Sequence, residues 1–148
     1  MKRLFLSLFV GLSSVGAAAE DCGKIPLNEE KHLRIEEGRC FLNQEQFEGS
    51  LSVFQDLAQD TQIQQRKDFL FAVLFNLATN YDCMFVQGLG TIEQQGENIN
   101  NAIGSYGQII REIGALHGHE RILGMAKASL ERAQREKVEF ELNHPESK

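Results

Sequence analysis

Proline is scarce in this chain, at 2 of 148 residues, and tryptophan is absent. With so few prolines, long helices run without a break. Few Val and Thr beside many Glu, Gln, Leu and Ala point the same way, to helix rather than sheet. A block of basic residues is also missing: 15 Lys and Arg stand against 21 Asp and Glu, for a net charge of −6. Phosphate binding needs clustered cations, so this balance argues against a nucleic-acid partner and against an anionic membrane surface. Beyond the N-terminus no segment reads as a membrane span. The richest, residues 69–78, is about half of the roughly twenty residues a bilayer requires. Nor is there a constellation with the spacing of a catalytic or cofactor motif. The three cysteines form neither CxxC nor CxxCH, and HExxH does not occur.

What is present begins with an export signal. Lys2 and Arg3 make a positive start, an apolar run follows from Leu4 through Val15, and Ala17 and Ala19 put small side chains where signal peptidase needs them. Residues 1–19 are expected to be removed, placing the mature chain in the periplasm. Ser7, Gly11, Ser13 and Ser14 interrupt the segment and make it too short to remain as an anchor. Glu20 and Asp21 precede Cys22, which rules against a lipid-modified cysteine, a modification that needs small residues there. Loss of Lys2 and Arg3 takes the net charge from −6 to −8.

Residues 20–142 are expected to form one all-α domain, an antiparallel helical hairpin array of about five helices, with a disordered tail at 143–148. Asn28 can cap a first helix that ends near Asn43, and residues 44–46 form a tight connection. A second helix to about Ala58 places Phe47, Leu51, Phe54 and Leu57 on one face. A third, from about Gln62 to Val86, is apolar around most of its circumference and should be the central buried element, stopping at Gly88 and Gly90. The fourth starts at Thr91, or at Asn98 if Gly96 breaks it, and buries Ile99, Ala102, Ile103, Tyr106, Ile109, Ile110 and Ile113. Gly104, Gly107 and Gly114 on it suggest a close helix approach or a bend. The last, 119–142, carries a stripe of Leu123, Ala126, Leu130 and Ala133.

The segment from Gly38 to Ala58 resembles a tetratricopeptide repeat. Gly38 and Phe41 match the first helix of that family, Gln44 its turn, Phe47 the aromatic opening the second helix, and Ser50, Leu51 and Phe54 the pattern along it. Glu37 and Leu57 depart from it, and no proline closes the repeat. Ala102, Ile103, Tyr106 and Ile109 resemble a further half-repeat. The resemblance implies two antiparallel helices interlocked by small residues facing aromatics, and a surface that binds protein.

In an oxidising compartment two of the three cysteines should pair. Cys40–Cys83 is the favoured bridge, because both lie in helices that an antiparallel array packs together. Cys22–Cys83 and Cys22–Cys40 are the alternatives. His117 and His119, with Glu112 or Glu120, are the candidate metal ligands, read in preference as solvated side chains at a helix end. The acids at Glu29, Glu30, Glu36 and Glu37, with Lys31 and Arg34 between them, are read as a solvated helix face. The expectation is a non-enzymatic periplasmic adaptor without cofactor or metal, binding a protein partner in the envelope. An immunity or inhibitor protein acting against a cell-wall enzyme is the alternative.

Overall fold

The computed structural model describes Cys22, residues 31–114 and residues 116–147, and among them forms six α-helices and no strand. The helices are α1 (Lys31–Asn43), α2 (Phe47–Gln59), α3 (Thr61–Gln65), α4 (Lys67–Val86), α5 (Ile92–Ile113) and α6 (Glu120–Asn143), with a 3-10 turn at Pro145–Ser147. The export signal and its cleavage site lie outside the described residues, as does Asn28.

The expected third helix is two. The Asp60 carboxylate caps α3 by accepting the Gln62 and Ile63 N–H groups, and the chain then kinks at Arg66, whose backbone is extended. The kink turns Ile63 fully into the core while α4 starts afresh in a new direction. Leu70, Phe71, Val73, Leu74 and Ala78 of α4 are buried, and Phe69, Phe75, Leu77 and Tyr81 pack around the same core. This helix, packed against α2 on one side and α5 on the other, is the central element the sequence leads one to expect. By length and composition α4 is also apolar enough to cross a bilayer, a correction to the reading that no later segment qualifies. Here that apolar surface is used for packing against its neighbours.

The α1–α2, α4–α5 and α5–α6 pairs run antiparallel. The α1–α2 hairpin interlocks closely: Gly38 lies under the fully buried ring of Phe54, Gly49 lies under Phe41, and Ser50 Oγ donates to the Gly38 carbonyl at 2.8 Å. Leu51 is only half-buried, while Ser50 and Val53 take the interior positions beside Phe47, Phe54 and Leu57. On α5 the buried set Ile99, Ala102, Tyr106, Ile109 and Ile113 recurs at alternating steps of three and four, which is one face of a helix. Thr91 begins this helix and Gly96 does not break it. Gly104 faces open space, so it serves no close approach, and Gly114 is the helix's C-terminal cap.

Helix α6 lies on α5 and runs parallel to α4, reaching it through side chains: His119 to Phe71, Arg132 to Asp82 and Phe140 to Phe85. Its buried stripe is Ala126, Ala133 and Phe140, one residue every seven, and so extends beyond the point where the sequence pattern fades. At the end of the chain, α6 runs to Asn143. Phe140 carries His144 against its ring at 4.8 Å, and the 3-10 turn follows.

Candidate functional site: a cleft between three helix ends

Two helices end in the same way beside each other. At the end of α1, Glu45 N–H donates to the Leu42 carbonyl at 3.0 Å and Gln46 N–H to the Phe41 carbonyl at 2.9 Å. At the end of α4, Gly88 N–H donates to Phe85 at 2.9 Å and Leu89 N–H to Met84 at 3.0 Å. Both are Schellman closures, which put the residue after the cap in the left-handed region. Gly88 occupies that position at φ 65°, the usual choice, but on α1 it is Glu45 at φ 58°, where a side chain is strained. The α5 start is fixed by a reciprocal capping box, with Gln94 N–H donating to Thr91 Oγ1 at 3.2 Å and Thr91 N–H to Gln94 Oε1 at 2.8 Å.

These ends enclose a solvent-open cleft of about 750 Å³ between the α1–α2 turn, the first turn of α2, the end of α4 and the start of α5. It is lined by Glu45, Glu48 and Glu97, by the amide residues Gln46, Gln94 and Asn98, and by Phe47, Met84 and Leu89, with Gly49 and Gly90 between them. None of the three carboxylates has an ion-pair partner among the described residues. Asn98 is 8 % exposed and its side chain makes no hydrogen bond among them.

Behind the cleft, polar side chains tie the helices together. Asn80 donates to Ser50 Oγ and to the Asn76 carbonyl, each at 2.9 Å, so α1, α2 and α4 share one chain of hydrogen bonds. Further along α4, the buried Asp82 carboxylate is bound by Arg132 from α6 and accepts from Tyr106 Oη of α5 at 3.4 Å. Burial and, after it, the Asp82 charge push the Tyr106 hydroxyl well above its ordinary pKa. Burial would lower the Arg132 pKa, but the charge and hydrogen bond of Asp82 outweigh it and hold the guanidinium protonated. Glu136, 3.8 Å from Arg132, is raised by its burial, which the Arg132 charge only partly offsets. The network joins α4, α5 and α6 through polar contacts.

The disulfide is Cys22–Cys40, with Cα atoms 5.7 Å apart, and Cys83 is a free thiol. This corrects the favoured Cys40–Cys83 pairing. Helix α1 packs chiefly on α2, not α4, so Cys40 faces the lead-in segment at Cys22 instead. Burial, and then the Asp82 charge, push the Cys83 thiol up to about 11.

The other sequence candidates are dispersed. His117 is exposed and His119 sets its ring edge on Phe71 at 5.3 Å. Glu112 is paired with Lys67, and Glu120 accepts the Gly118 N–H at 3.2 Å. Glu36 pairs with Arg39 at 2.8 Å in solvent, and Arg34 reaches Asp56 at 3.5 Å. Glu29 and Glu30 lie outside the described residues. Among the described residues no three His, Cys, Asp or Glu side chains converge as metal ligands would.

Sequence reasoning did not single out Glu45, Glu48, Glu97, Asn98, Asp82 or Arg132. Asp82 carried a signal, as a charged residue inside the most apolar helix. The cleft residues carried none, because ordinary polar residues become a site only when three helix ends meet. Comparisons of the chain with protein-family models, with curated proteins and with solved structures returned no match.

Proposed function

We propose that this chain is an exported, periplasmic, non-enzymatic adaptor that binds a segment of another envelope protein in the cleft between the α1–α2 turn and the α4–α5 junction. The reading takes the α1–α2 hairpin as a degenerate tetratricopeptide-like unit, supported by its pairs of small and aromatic residues, Gly38 with Phe54 and Gly49 with Phe41. The observation that carries it is the cleft lining. Carboxylates free of ion pairs beside apolar side chains suit a peptide, which offers both kinds of group at short intervals. The Asp82–Arg132 network fits the same reading, since it holds α4, α5 and α6 rigid behind the cleft and so limits the ordering cost of binding.

The test is photo-crosslinking in the native envelope from a benzoylphenylalanine placed at Gln46, in the cleft, and at Lys127, exposed on α6. A discrete adduct with another envelope protein from position 46 and none of that kind from 127 is expected. Equal adducts from both positions, or none from either, would overturn the reading. The alternative, an inhibitor of a cell-wall enzyme, is favoured by the acidity of the cleft, which would match a basic hydrolase. An adduct identified as such an enzyme, with inhibition by the purified protein, would select it.

A further inference from the structure

We propose that the outward face of α6 is the seam of a symmetric dimer, in which the α6 helices of two copies of this chain lie antiparallel. The seam runs along the outer side of α6, away from the cleft, and is independent of the docking reading above. The inward face of the helix is already occupied: Ala126, Ala133 and Phe140 are buried, one residue every seven. On the opposite side Gly124, Ala128, Glu131, Arg135, Val138 and Leu142 follow at alternating steps of four and three, and all are exposed. That alternation is the repeat by which one helix keeps contact with another along its length. Val138 is 57 % exposed and Leu142 74 %, more than any other large apolar side chain among the described residues.

The order of residues along the stripe says what covers it. A two-fold axis at the level of Ala133 brings the stripe against its own complement. Glu131 faces Arg135 of the second copy, Ala128 faces Val138 and Gly124 faces Leu142, each contact being made twice. Every large aliphatic side chain thus falls opposite a small residue, and every acid opposite a base. Nothing lies within 4 Å of where a Cβ on Gly124 would stand, so a leucine can lie directly on the backbone there. Glu131 and Arg135 are one turn apart on the same helix, yet neither has an ion-pair partner among the described residues. Arg132 flanks the axis, and its charge is engaged by the buried Asp82.

Other arrangements of the same two helices fail. A parallel pair in register stacks Glu131 on Glu131 and Arg135 on Arg135. Sliding the antiparallel pair by one seven-residue step in either direction sets an arginine, Arg135 or Arg121, against Val138. Charged residues in such a seam cost stability and select the register, which here leaves one. The paired stretch, residues 124–142, is about 28 Å long at 1.5 Å per residue. A contact of one helix on one helix is small for an interface, which places the dimer among weak, concentration-dependent associations.

The experiment is sedimentation velocity on the oxidised protein from low micromolar to submillimolar concentration. The mass of the parent should rise toward that of two copies. Glu131→Arg and Arg135→Glu, each alone, should stay at one copy throughout, with helix content unchanged by circular dichroism because both positions are exposed. The double variant Glu131→Arg with Arg135→Glu should dimerise again. An equimolar mixture of the two single variants should also dimerise, since each supplies the charges the other lacks. Leu142→Ser removes two leucines from each dimer and should weaken association about tenfold or more. Gly124→Leu should weaken it similarly while leaving the monomer at least as stable, as leucine is the better helix former. Val86→Ser, exposed at the end of α4, should leave association unchanged.

A parent that keeps the mass of one copy over the whole range would overturn the proposal. Single charge variants that dimerise as the parent does would overturn it as well. Failure of both the double variant and the mixture to dimerise would overturn the antiparallel register.

Discussion

Gly38→Ala and Gly104→Ala make the same chemical change in two helices and should move stability in opposite directions. At Gly38 an added methyl would sit 2.7 Å from Cε2 and Cζ of Phe54 and 3.2 Å from Cδ2. Carbon atoms prefer a separation of about 3.5–4.0 Å, so the overlap approaches an ångström. The Phe54 ring is fully buried and cannot swing into solvent, which puts the strain in the upper part of the usual range for overpacking, about 2–3 kcal/mol. Alanine recovers about 1 kcal/mol through its better helix propensity, leaving a net loss of about 1–2 kcal/mol. At Gly104 nothing lies within 4 Å of the added methyl, so only the propensity gain remains, about 0.5–1 kcal/mol. Urea denaturation followed by circular dichroism on the oxidised proteins separates the two. Each kcal/mol corresponds to roughly 3–5 °C in melting temperature for a domain of this size. Phe54→Leu combined with Gly38→Ala should cost less than the two changes summed, since the smaller side chain vacates the space the methyl needs. A Gly38→Ala protein as stable as the parent would refute the interlocking of α1 and α2 as described.

The Asp82–Arg132 pair should respond unequally to removal of either partner. Arg132→Ala strands a buried carboxylate and should cost about 3 kcal/mol or more, whereas Asp82→Asn frees a guanidinium that already reaches solvent and should cost clearly less; chemical denaturation of both variants decides. Cys83, pushed up to about 11, should react with a disulfide reagent at pH 8 at least about tenfold more slowly than a free cysteine, since the greater nucleophilicity of a more basic thiolate offsets part of its roughly 100-fold smaller thiolate fraction. Glu136 has its pKa raised by burial, so its neutral form is the one the fold prefers. That preference is satisfied below the ordinary glutamate range and lost as pH rises through the raised value. Glu136→Gln should therefore be at least as stable as the parent at pH 7, with the difference shrinking toward pH 4 in thermal melts. A variant less stable at pH 7 would contradict the assignment.

The helix content and most helix boundaries could be read from the sequence because they rest on local rules. Thr91 with Gln94 spells a capping box, and Ile99, Ala102, Tyr106, Ile109 and Ile113 keep helical register without outside help. The kink at Arg66 was not legible. The apolar periodicity runs across it, and only the burial of Ile63 against distant residues decides that the helix must turn. Phe140 was missed for a related reason: it stands among charged residues, and its burial depends on Phe85 of α4. The cysteine pairing followed which helix α1 chose as its neighbour, a tertiary fact that spacing does not contain. The cleft lay furthest from view. Glu48 and Glu97 are unremarkable surface residues in sequence, and their opposition is created by the hairpin geometry that brings α2 and α5 to the same end of the molecule.

The Cys22–Cys40 bridge bears on how the chain reaches its native state. Its partners are 18 residues apart, whereas the competing rings through Cys83 would span 43 or 61. For a flexible chain the entropy of ring closure favours the shortest loop, here by about 0.8 and 1.1 kcal/mol over its rivals. Cys22 and Cys40 are also synthesised before Cys83. The bond that random encounter makes most often is thus the one the folded protein keeps, and premature oxidation leads toward the native connectivity without a disulfide that must later be exchanged.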